Sequence, residues 1–267
     1  MSREPREFQK HYGPWALVAG ASEGLGAEFA RQLAARGLSV VLLSRRAEPL
    51  EALAAELMQR YSVKARVAVI DLAAADLEAQ LKAATADLEI GLLVYNAAHS
   101  GLGEFLDQEL ASQLRSIEVN CRGPVILSHV LGRQMAARRR GGIILMGSLA
   151  SGQGVPLVAT YAATKAFDLI LAEGLWEELR HLGIDVVGCR AGATRTPGYE
   201  RSRPQSGDGI VGETGPVVRA ALQALGRQPT IIPGFVNGLA AFFLGRLLPR
   251  RAAVQFMGKT MRSMYRT

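Results

Sequence analysis

A tyrosine and a lysine four residues apart, Tyr161 and Lys165, are the side chains of this sequence best suited to chemistry. If the stretch is helical, both side chains leave the same face about one turn apart. A nearby cation stabilises a phenolate, and a phenol tuned in this way works as a general acid or base. An ordinary polar pair on a helix surface would show the same spacing, so the rest of the chain must decide between the two interpretations.

A glycine-rich segment, Gly20-x3-Gly24-x-Gly26, lies between a predicted buried strand at 15–19 and a predicted helix at 27–36. Glycines at such a turn let the backbone approach a pyrophosphate, whose charge is favoured by the free N–H groups of a helix N-terminus. The segment therefore predicts a dinucleotide-binding loop. The alternative is a glycine-rich turn without a ligand.

Two arginines, Arg45 and Arg46, follow the second predicted strand at 39–43. The adenosine ribose of a dinucleotide lies at this point, where an acidic residue suits a free 2′-hydroxyl and basic residues suit a 2′-phosphate. No carboxylate follows the strand before Glu48, so the sequence favours NADP(H) as the cofactor. The alternative is that both arginines simply begin a solvated helix.

Strand and helix patterns alternate along the chain at the lengths of βα units. The predicted strands are runs rich in Val, Ile and Leu, which is typical of a parallel sheet that is buried on both faces. They lie at residues 15–19, 39–43, 65–70, 91–95, 143–147, 184–189 and 230–233.

The pattern predicts an α/β fold with one doubly wound Rossmann domain over residues 1–267 and a core at 15–234. Its centre would be a seven-stranded parallel sheet. Long helices are predicted at 110–138 and 161–182, and a C-terminal helical extension follows at 235–267.

The composition is globular, with 49% hydrophobic and 21% charged residues in a chain of 267. The two cysteines, Cys121 and Cys189, form no CxxC pattern, so neither a disulfide framework nor a metal site is predicted. The N-terminus lacks an apolar signal region, and no apolar run reaches the roughly 20 residues that span a bilayer. We therefore expect a cytoplasmic protein.

The net charge of +7 is concentrated in the tail. Residues 228–267 contain six basic residues and no Asp or Glu, which leaves +1 for the rest of the chain. The sequence does not favour nucleic-acid binding, because no recognition motif accompanies this charge.

The motifs, taken in order over residues 15–196, resemble those of the classical short-chain dehydrogenase/reductase family. Individually most of them are weak, whereas together and at strand ends they are specific. The departures from the family pattern at Ala19, Ala98 and Ala191 remove no catalytic atom. The matching residues are Gly20, Gly24, Gly26, Asp71, Asn96, Ala97, Ala98, Asn120, Ser148, Tyr161, Lys165, Gly192 and Thr196.

The resemblance implies catalytic roles for four residues. Tyr161 would protonate a carbonyl oxygen during reduction, and Ser148 would hydrogen-bond that oxygen. Lys165 would hold the nicotinamide ribose and favour the phenolate, and Asn120 would anchor a water of the proton relay. The alternatives are a helix cap for Ser148, a helix bend for Asn120 and a turn for Asp71.

The resemblance also implies a set of cofactor contacts along the carboxyl ends of the strands. Asp71 would meet the adenine, and Gly192 and Thr194 would border the nicotinamide. The full set is Gly20, Ser22, Glu23, Gly24, Leu25, Gly26, Arg45, Arg46, Asp71, Leu72, Asn96, Ala97, Ala98, Tyr161, Lys165, Gly192, Thr194 and Thr196.

Substrate choice is predicted to lie after Ala98, in residues 151–159 and in a loop at 196–214. These segments are mostly apolar, so we expect a hydrophobic ketone or alcohol, and the chain is similar to ketoacyl and steroid-type reductases. We also expect a homodimer or homotetramer. The candidate substrate contacts are Ser148, Tyr161, Val155 and Tyr199, with Leu102, Phe105, Leu157 and Val158 nearby.

Two questions stay open at this stage. The tail at 235–267 could lie on an anionic membrane surface, close over the active site or form a subunit interface, or simply cover the end of the sheet. The protein could also be a catalytically idle NADP-binding sensor or scaffold, although a binding module has no need of the Ser–Tyr–Lys–Asn set.

Overall fold

The computed structural model describes residues 5–201 and 211–265, and its centre is an all-parallel sheet of seven strands. Residues 202–210 of the predicted substrate loop lie outside the described residues. The strand order is β3-β2-β1-β4-β5-β6-β7. The strands are β1 (Trp15–Ala19), β2 (Ser39–Ser44), β3 (Ala65–Val69), β4 (Ile90–Tyr95), β5 (Gly141–Ser148), β6 (Ile184–Ala191) and β7 (Thr230–Ile231).

Helices connect the strands and extend the chain after the last one. They are α1 (Pro5–Tyr12), α2 (Gly24–Ala34), α3 (Ala47–Tyr61), α4 (Leu77–Thr85), α5 (Leu110–Ile117), α6 (Gly123–Arg138), α7 (Ala159–Glu178), α8 (Pro197–Arg201), α9 (Thr214–Ala224), α10 (Phe235–Phe242) and α11 (Arg250–Tyr265). In the part of the chain that the structure describes, no helix is both long and apolar enough to cross a membrane.

Successive strand residues point to opposite faces of the sheet and so build two separate cores. Val18 and the other strand residues on its face of the sheet pack with α2, α3 and α9. Leu17 and the strand residues on the opposite face pack with α4, α6 and α7. Both faces are therefore apolar, which explains why the strands read as continuous hydrophobic runs. The predicted doubly wound α/β fold and its seven-stranded parallel sheet are confirmed.

The predicted helix at 110–138 is divided in the structure. A π-helical turn at Glu118–Arg122 separates α5 from α6. Such turns widen the helix by one residue and occur frequently at functional sites. Asn120 lies in this turn and is fully buried.

The order of strand connection reverses between β1 and β4, which lie side by side at the centre of the sheet. Connections from the two strands leave in opposite directions, so a crevice opens at their carboxyl ends. The crevice is the expected ligand site of an open α/β sheet.

We predict that Gly91→Ala destabilises the protein by about 2 kcal/mol, because overpacked backbone positions cost about 1–3 kcal/mol. The pairing of β4 with β1 skips Gly91, and a Cβ atom there would lie 2.4 Å from the carbonyl oxygen of Tyr12. Denaturant unfolding measures the change. The control is Gly174→Ala on the exposed face of α7, where a Cβ atom meets nothing within 4 Å. Equal free energies of unfolding for the two variants would contradict the prediction.

Candidate active site

A groove of about 810 Å³ opens at the carboxyl ends of the central strands. It runs from the glycine-rich loop to the N-terminal part of α7 and includes most of the predicted cofactor contacts. Those that line it are Gly20, Ser22, Glu23, Gly24, Leu25, Arg45, Arg46, Asp71, Leu72, Asn96, Ala97, Ala98, Tyr161 and Thr196. The remaining predicted contacts, Gly26, Lys165, Gly192 and Thr194, do not line it.

The glycine-rich loop has a backbone that side chains would block. Gly20 and Gly24 have φ angles of +82° and +58°, and a Cβ atom on Gly26 would lie 1.9 Å from the carbonyl oxygen of Gly20. Because α2 begins at Gly24, its free N–H groups lie beside this turn. The loop and helix end fit the pyrophosphate of a dinucleotide.

Asn96 connects the loop after β4 to the glycine-rich loop after β1. Its Nδ2 donates a hydrogen bond to the carbonyl oxygen of Gly20 at 3.1 Å. The backbone N–H groups of Asn96 and Ala97 both donate to the carbonyl oxygen of Ala19 at 2.9 Å. The two loops are therefore held together at the centre of the groove.

Four cations surround the end of the groove where the adenosine was predicted. Arg46 donates to Glu23 at 2.7 Å and to Ser22 at 3.1 Å. Arg201 on α8 also pairs with Glu23. The hydrogen bond from Arg201 is the largest cause of a pKa of Glu23 below its ordinary value; burial opposes it, and the hydrogen bond from Arg46 adds to it. Arg45 lines the same wall of the groove.

The fourth cation is Arg115 on α5. Its Nη2 donates to both carboxylate oxygens of Asp71, at 2.9 and 2.7 Å. Burial raises the pKa of Asp71, but the hydrogen bonds from Arg115 and Ala73, together with the charges of Arg115 and Arg45, outweigh burial, so the pKa lies below its ordinary value. Asp71 also accepts a hydrogen bond from the N–H of Ala73 at 3.0 Å. The turn that was the alternative role for Asp71 is therefore present, and it lies beside the groove.

Asn120 fastens the loop after β4 to α7. Its Oδ1 accepts from the N–H of His99 at 2.7 Å, and its Nδ2 donates to the carbonyl oxygen of His99 at 2.8 Å and to Thr164 Oγ1 at 2.9 Å. All three bonds are protected from water because Asn120 is fully buried. The side chain therefore joins two walls of the groove.

The ammonium of Lys165 is held below the groove floor. It is 2% exposed and donates to the carbonyl oxygen of Met146 at 2.7 Å and to Asp168 Oδ2 at 2.9 Å. Met146 lies two residues before Ser148 on β5, so the same strand end positions both predicted catalytic side chains. Tyr161, one helical turn before Lys165, reaches the groove itself.

Asp168 was missed at the sequence level. It is 1% exposed and is the buried counter-charge of Lys165. Burial lowers the pKa of Lys165, but the charges of Asp168 and Tyr161 outweigh it and raise the pKa above its ordinary value. The sequence signal that could have identified Asp168 is an acid three residues after the lysine, on a helix face that is otherwise largely apolar.

The side of the site predicted to bind substrate is mainly apolar. Val155 and Leu157 are buried, Leu102 and Phe105 are exposed, and Tyr199 lines the groove. Ser148 Oγ accepts from the N–H of Ala150 at 3.2 Å, as a cap would. Thr194 Oγ1 donates to the carbonyl oxygen of Gly192 at 2.9 Å, and Thr194 pairs with Gly212 through a β-bridge.

A doubly wound parallel sheet, a pyrophosphate loop at its switch point and a tyrosine–lysine pair beside that loop define a dinucleotide-dependent oxidoreductase. The family model for short chain dehydrogenases matches residues 14–207. The chain therefore belongs to the short-chain dehydrogenase family, as the sequence motifs predicted.

Two curated relatives illustrate the range of the family near this chain. A 7β-hydroxysteroid dehydrogenase of Clostridium sardiniense is 33% identical over 233 residues, which is 86% of this chain and 89% of the relative. A very-long-chain 3-oxoacyl-CoA reductase of Podospora anserina is 38% identical over 179 residues, which is 65% of this chain and 53% of the relative. The match to the reductase therefore spans about half of its length.

Solved structures give the same family. A structure described in connection with 7β-hydroxysteroid dehydrogenase stereoselectivity has a TM-score of 0.88 at 28% identity, and the match covers 96% of this chain and 99% of that one. A short-chain dehydrogenase from Sphingobium yanoikuyae in complex with NADPH has a TM-score of 0.75 at 31% identity, and the match covers 83% and 87%.

Proposed function

We propose that this protein uses NADP(H) to reduce a ketone on a hydrophobic substrate, or to oxidise the corresponding secondary alcohol. The observation that carries the proposal is the position of Tyr161 in the dinucleotide groove, one helical turn from the buried ammonium of Lys165. A phenol in that position can exchange a proton with a ligand that enters the groove.

Each polar residue of the site has a defined role in the proposed reaction. The bound nicotinamide supplies or accepts the hydride. Tyr161 Oη donates a proton to the carbonyl oxygen during reduction and removes it during oxidation. Ser148 Oγ, near the end of β5, orients that oxygen, while Lys165 stabilises the ionised phenol and holds the cofactor ribose. Asn120 holds the two walls of the groove together and orders a relay water.

The remaining predicted contacts hold the cofactor along the groove. Gly20, Gly24 and Gly26 give the pyrophosphate access to backbone N–H groups, and Asn96, Ala97 and Ala98 border its opposite side. Thr196, which lines the groove, would contact the nicotinamide end, and Gly192 and Thr194 would lie behind it. The cations at the adenosine end favour a 2′-phosphate, and the NADPH complex of the Sphingobium relative supports the same cofactor.

For the substrate we propose a bulky apolar ketone or alcohol of the steroid type. The support is the hydroxysteroid dehydrogenase relative, which matches over most of both chains, and the apolar residues beyond Tyr161. The acyl-CoA reductase relative matches over only about half of its length and gives weaker support for a thioester substrate.

A catalytically idle NADP-binding sensor is the second candidate function. It would require the groove, the cations and a ribose contact from Lys165, but not a phenol in the groove one helical turn from that ammonium. The position of Tyr161 therefore favours the enzyme.

We expect Tyr161→Phe to bind NADPH normally and to lose turnover by about 100-fold or more, because general acid catalysis contributes about 10²–10⁴ in rate. NADPH oxidation against a panel of apolar ketones measures turnover, and cofactor fluorescence titration measures binding. The matched control is Tyr61→Phe at a partly buried position at the end of α3, outside the groove, and it should keep full activity. Equal rates for wild type and Tyr161→Phe would refute the proposed role.

Arg45→Ala should weaken NADPH binding by about tenfold or more while NADH binding changes little, since the loss of a charge-assisted hydrogen bond to phosphate costs about 1.5–3 kcal/mol. Arg133→Ala removes the same charge from the exposed surface of α6 and serves as the control. Titration of each variant with both cofactors gives the preference. An unchanged ratio of the two dissociation constants in Arg45→Ala would mean that the 2′-phosphate lies elsewhere.

The expected homodimer or homotetramer remains a proposal. The face of α7 that points away from the sheet exposes 38% of Phe167 and 68% of Ile170. An apolar surface of this kind supports packing against a second copy of the chain.

We also propose that the C-terminal extension contacts an anionic membrane surface. On α10 and the following π-helical turn, Phe235, Leu239, Phe242, Phe243 and Leu247 are each at least 50% exposed. Basic residues accompany them, and residues 228–267 contain no acid. Exposed aromatic side chains next to a positive charge are the pattern of an interfacial helix.

The protein should sediment with vesicles that contain phosphatidylserine at low salt, and binding should weaken at high salt as the charges are screened. Replacing Arg246 and Arg251 by Ala should reduce binding by about tenfold or more, because each basic residue near such a surface contributes about 1 kcal/mol. The control replaces the exposed Arg60 and Arg133 by Ala. No sedimentation of the wild type at low salt would rule out this contact.

A further inference from the structure

The second charge of the buried pair on α7 has no role in the chemistry described so far. Asp168 Oδ2 lies 2.9 Å from Lys165 Nζ, and the side chain is 1% exposed. Its other oxygen, Oδ1, is buried without a hydrogen-bond partner among the described residues. An unpaired carboxylate oxygen in the interior is expensive, so the residue needs an explanation.

Packing alone does not explain an acid at this position. The helix face around Asp168 is formed by Leu169, Ala172 and other small or apolar side chains that meet the sheet. Well-packed apolar residues in place of a buried ion pair are often neutral or stabilising. The carboxylate is therefore better explained by what it does to Lys165 than by what it does for the fold.

Three titratable groups interact with the pair. They are Tyr161 on the helix itself, Cys121 in the π-helical turn and Tyr95 at the end of β4. Burial and then the charge of Asp168 raise the pKa of Cys121 to about 11 and raise the pKa of Tyr95 as well. Both groups stay neutral near pH 7. Burial raises the pKa of Asp168, while the charge and hydrogen bond of Lys165 lower it, so the paired carboxylate is the negative charge next to Lys165.

The hydrogen bonds of Lys165 leave one donor for the site. An ammonium has three N–H groups. One is directed to the carbonyl oxygen of Met146 and one to Asp168, on fixed parts of the protein. Two fixed bonds determine where the third N–H points.

We propose that Asp168 is a positioning residue that keeps Lys165 protonated and directs its third N–H toward the cofactor and Tyr161. The inference rests on the proposed oxidoreductase function, and it adds a residue that the motifs of the sequence did not include. Asp168 touches neither cofactor nor substrate and acts only through Lys165.

The variant Asp168→Asn tests the charge with little change in size. Without the carboxylate, buried Lys165 loses its proton at lower pH. The proposed ketone reduction needs Lys165 in its charged form. The fall of kcat/KM at high pH should begin about one pH unit lower than in the wild type, with about a tenfold loss where the profiles separate.

Two comparisons separate positioning from a merely structural role. The control Asp87→Asn breaks the exposed ion pair with Arg66 and should leave the pH profile unchanged. In a Lys165→Met background, Asp168→Asn should cause no further loss of turnover, because residues that act through one another are non-additive. Thermal unfolding of each variant is measured alongside to report on folding.

A wild-type pH profile in folded Asp168→Asn would overturn the proposal, and so would a loss of thermal stability with unchanged kcat/KM. An additional loss of turnover in the Lys165→Met background would overturn it too, because Asp168 would then act independently. If Tyr161→Phe is slow while Asp168→Asn is normal, only this inference fails. If Tyr161→Phe is as fast as the wild type, the proposed function itself fails.

Discussion

The parallel pairing of β1 with β4 is the constraint on which the rest of the site depends. Because these strands are neighbours at the point where connection order reverses, the loops that follow them meet in one crevice. The meeting is so close that a Cβ atom on Gly20 would lie 2.7 Å from the backbone of Ala97. The hydrogen bond from Asn96 to the carbonyl oxygen of Gly20 lies at this same contact. A slip of either strand would separate the pyrophosphate site from the tyrosine.

The elements of the fold could be predicted because their signals are local. Apolar runs of strand length that alternate with helical patterns gave the seven strands and their parallel arrangement, with boundaries close to those observed. The glycine spacing and the tyrosine–lysine spacing are also local, which is why these residues could be named from the sequence. The π-helical turn at Glu118–Arg122 was missed because it differs from an α-helix by a single residue per turn, which leaves no periodic trace.

The contacts that complete the site join residues that are far apart in the sequence, or they depend on burial. Arg115 and Asp71 are 44 positions apart, and Arg201 and Glu23 are 178 apart, so no pattern along the chain indicates either pair. Asp168 is close to Lys165 in sequence, yet its meaning depends on burial, which a single acidic residue in a helix does not indicate. Long-range ion pairs and buried charges are properties of the assembled fold. The spacing of motifs indicates the candidate catalytic side chains but not the charged groups that are buried beside them.

The salt bridges from Arg46 and Arg201 to Glu23 couple the groove to α8. They join three separate segments at one carboxylate: the start of α3, the glycine loop and α8. An anionic ligand that recruits either arginine shares it with Glu23, so occupancy of the groove and the attachment of α8 influence each other. Such coupling is reciprocal by thermodynamic necessity. A ligand that competes with Glu23 for Arg201 therefore weakens the attachment of α8, and that attachment opposes the binding of the ligand to the same extent.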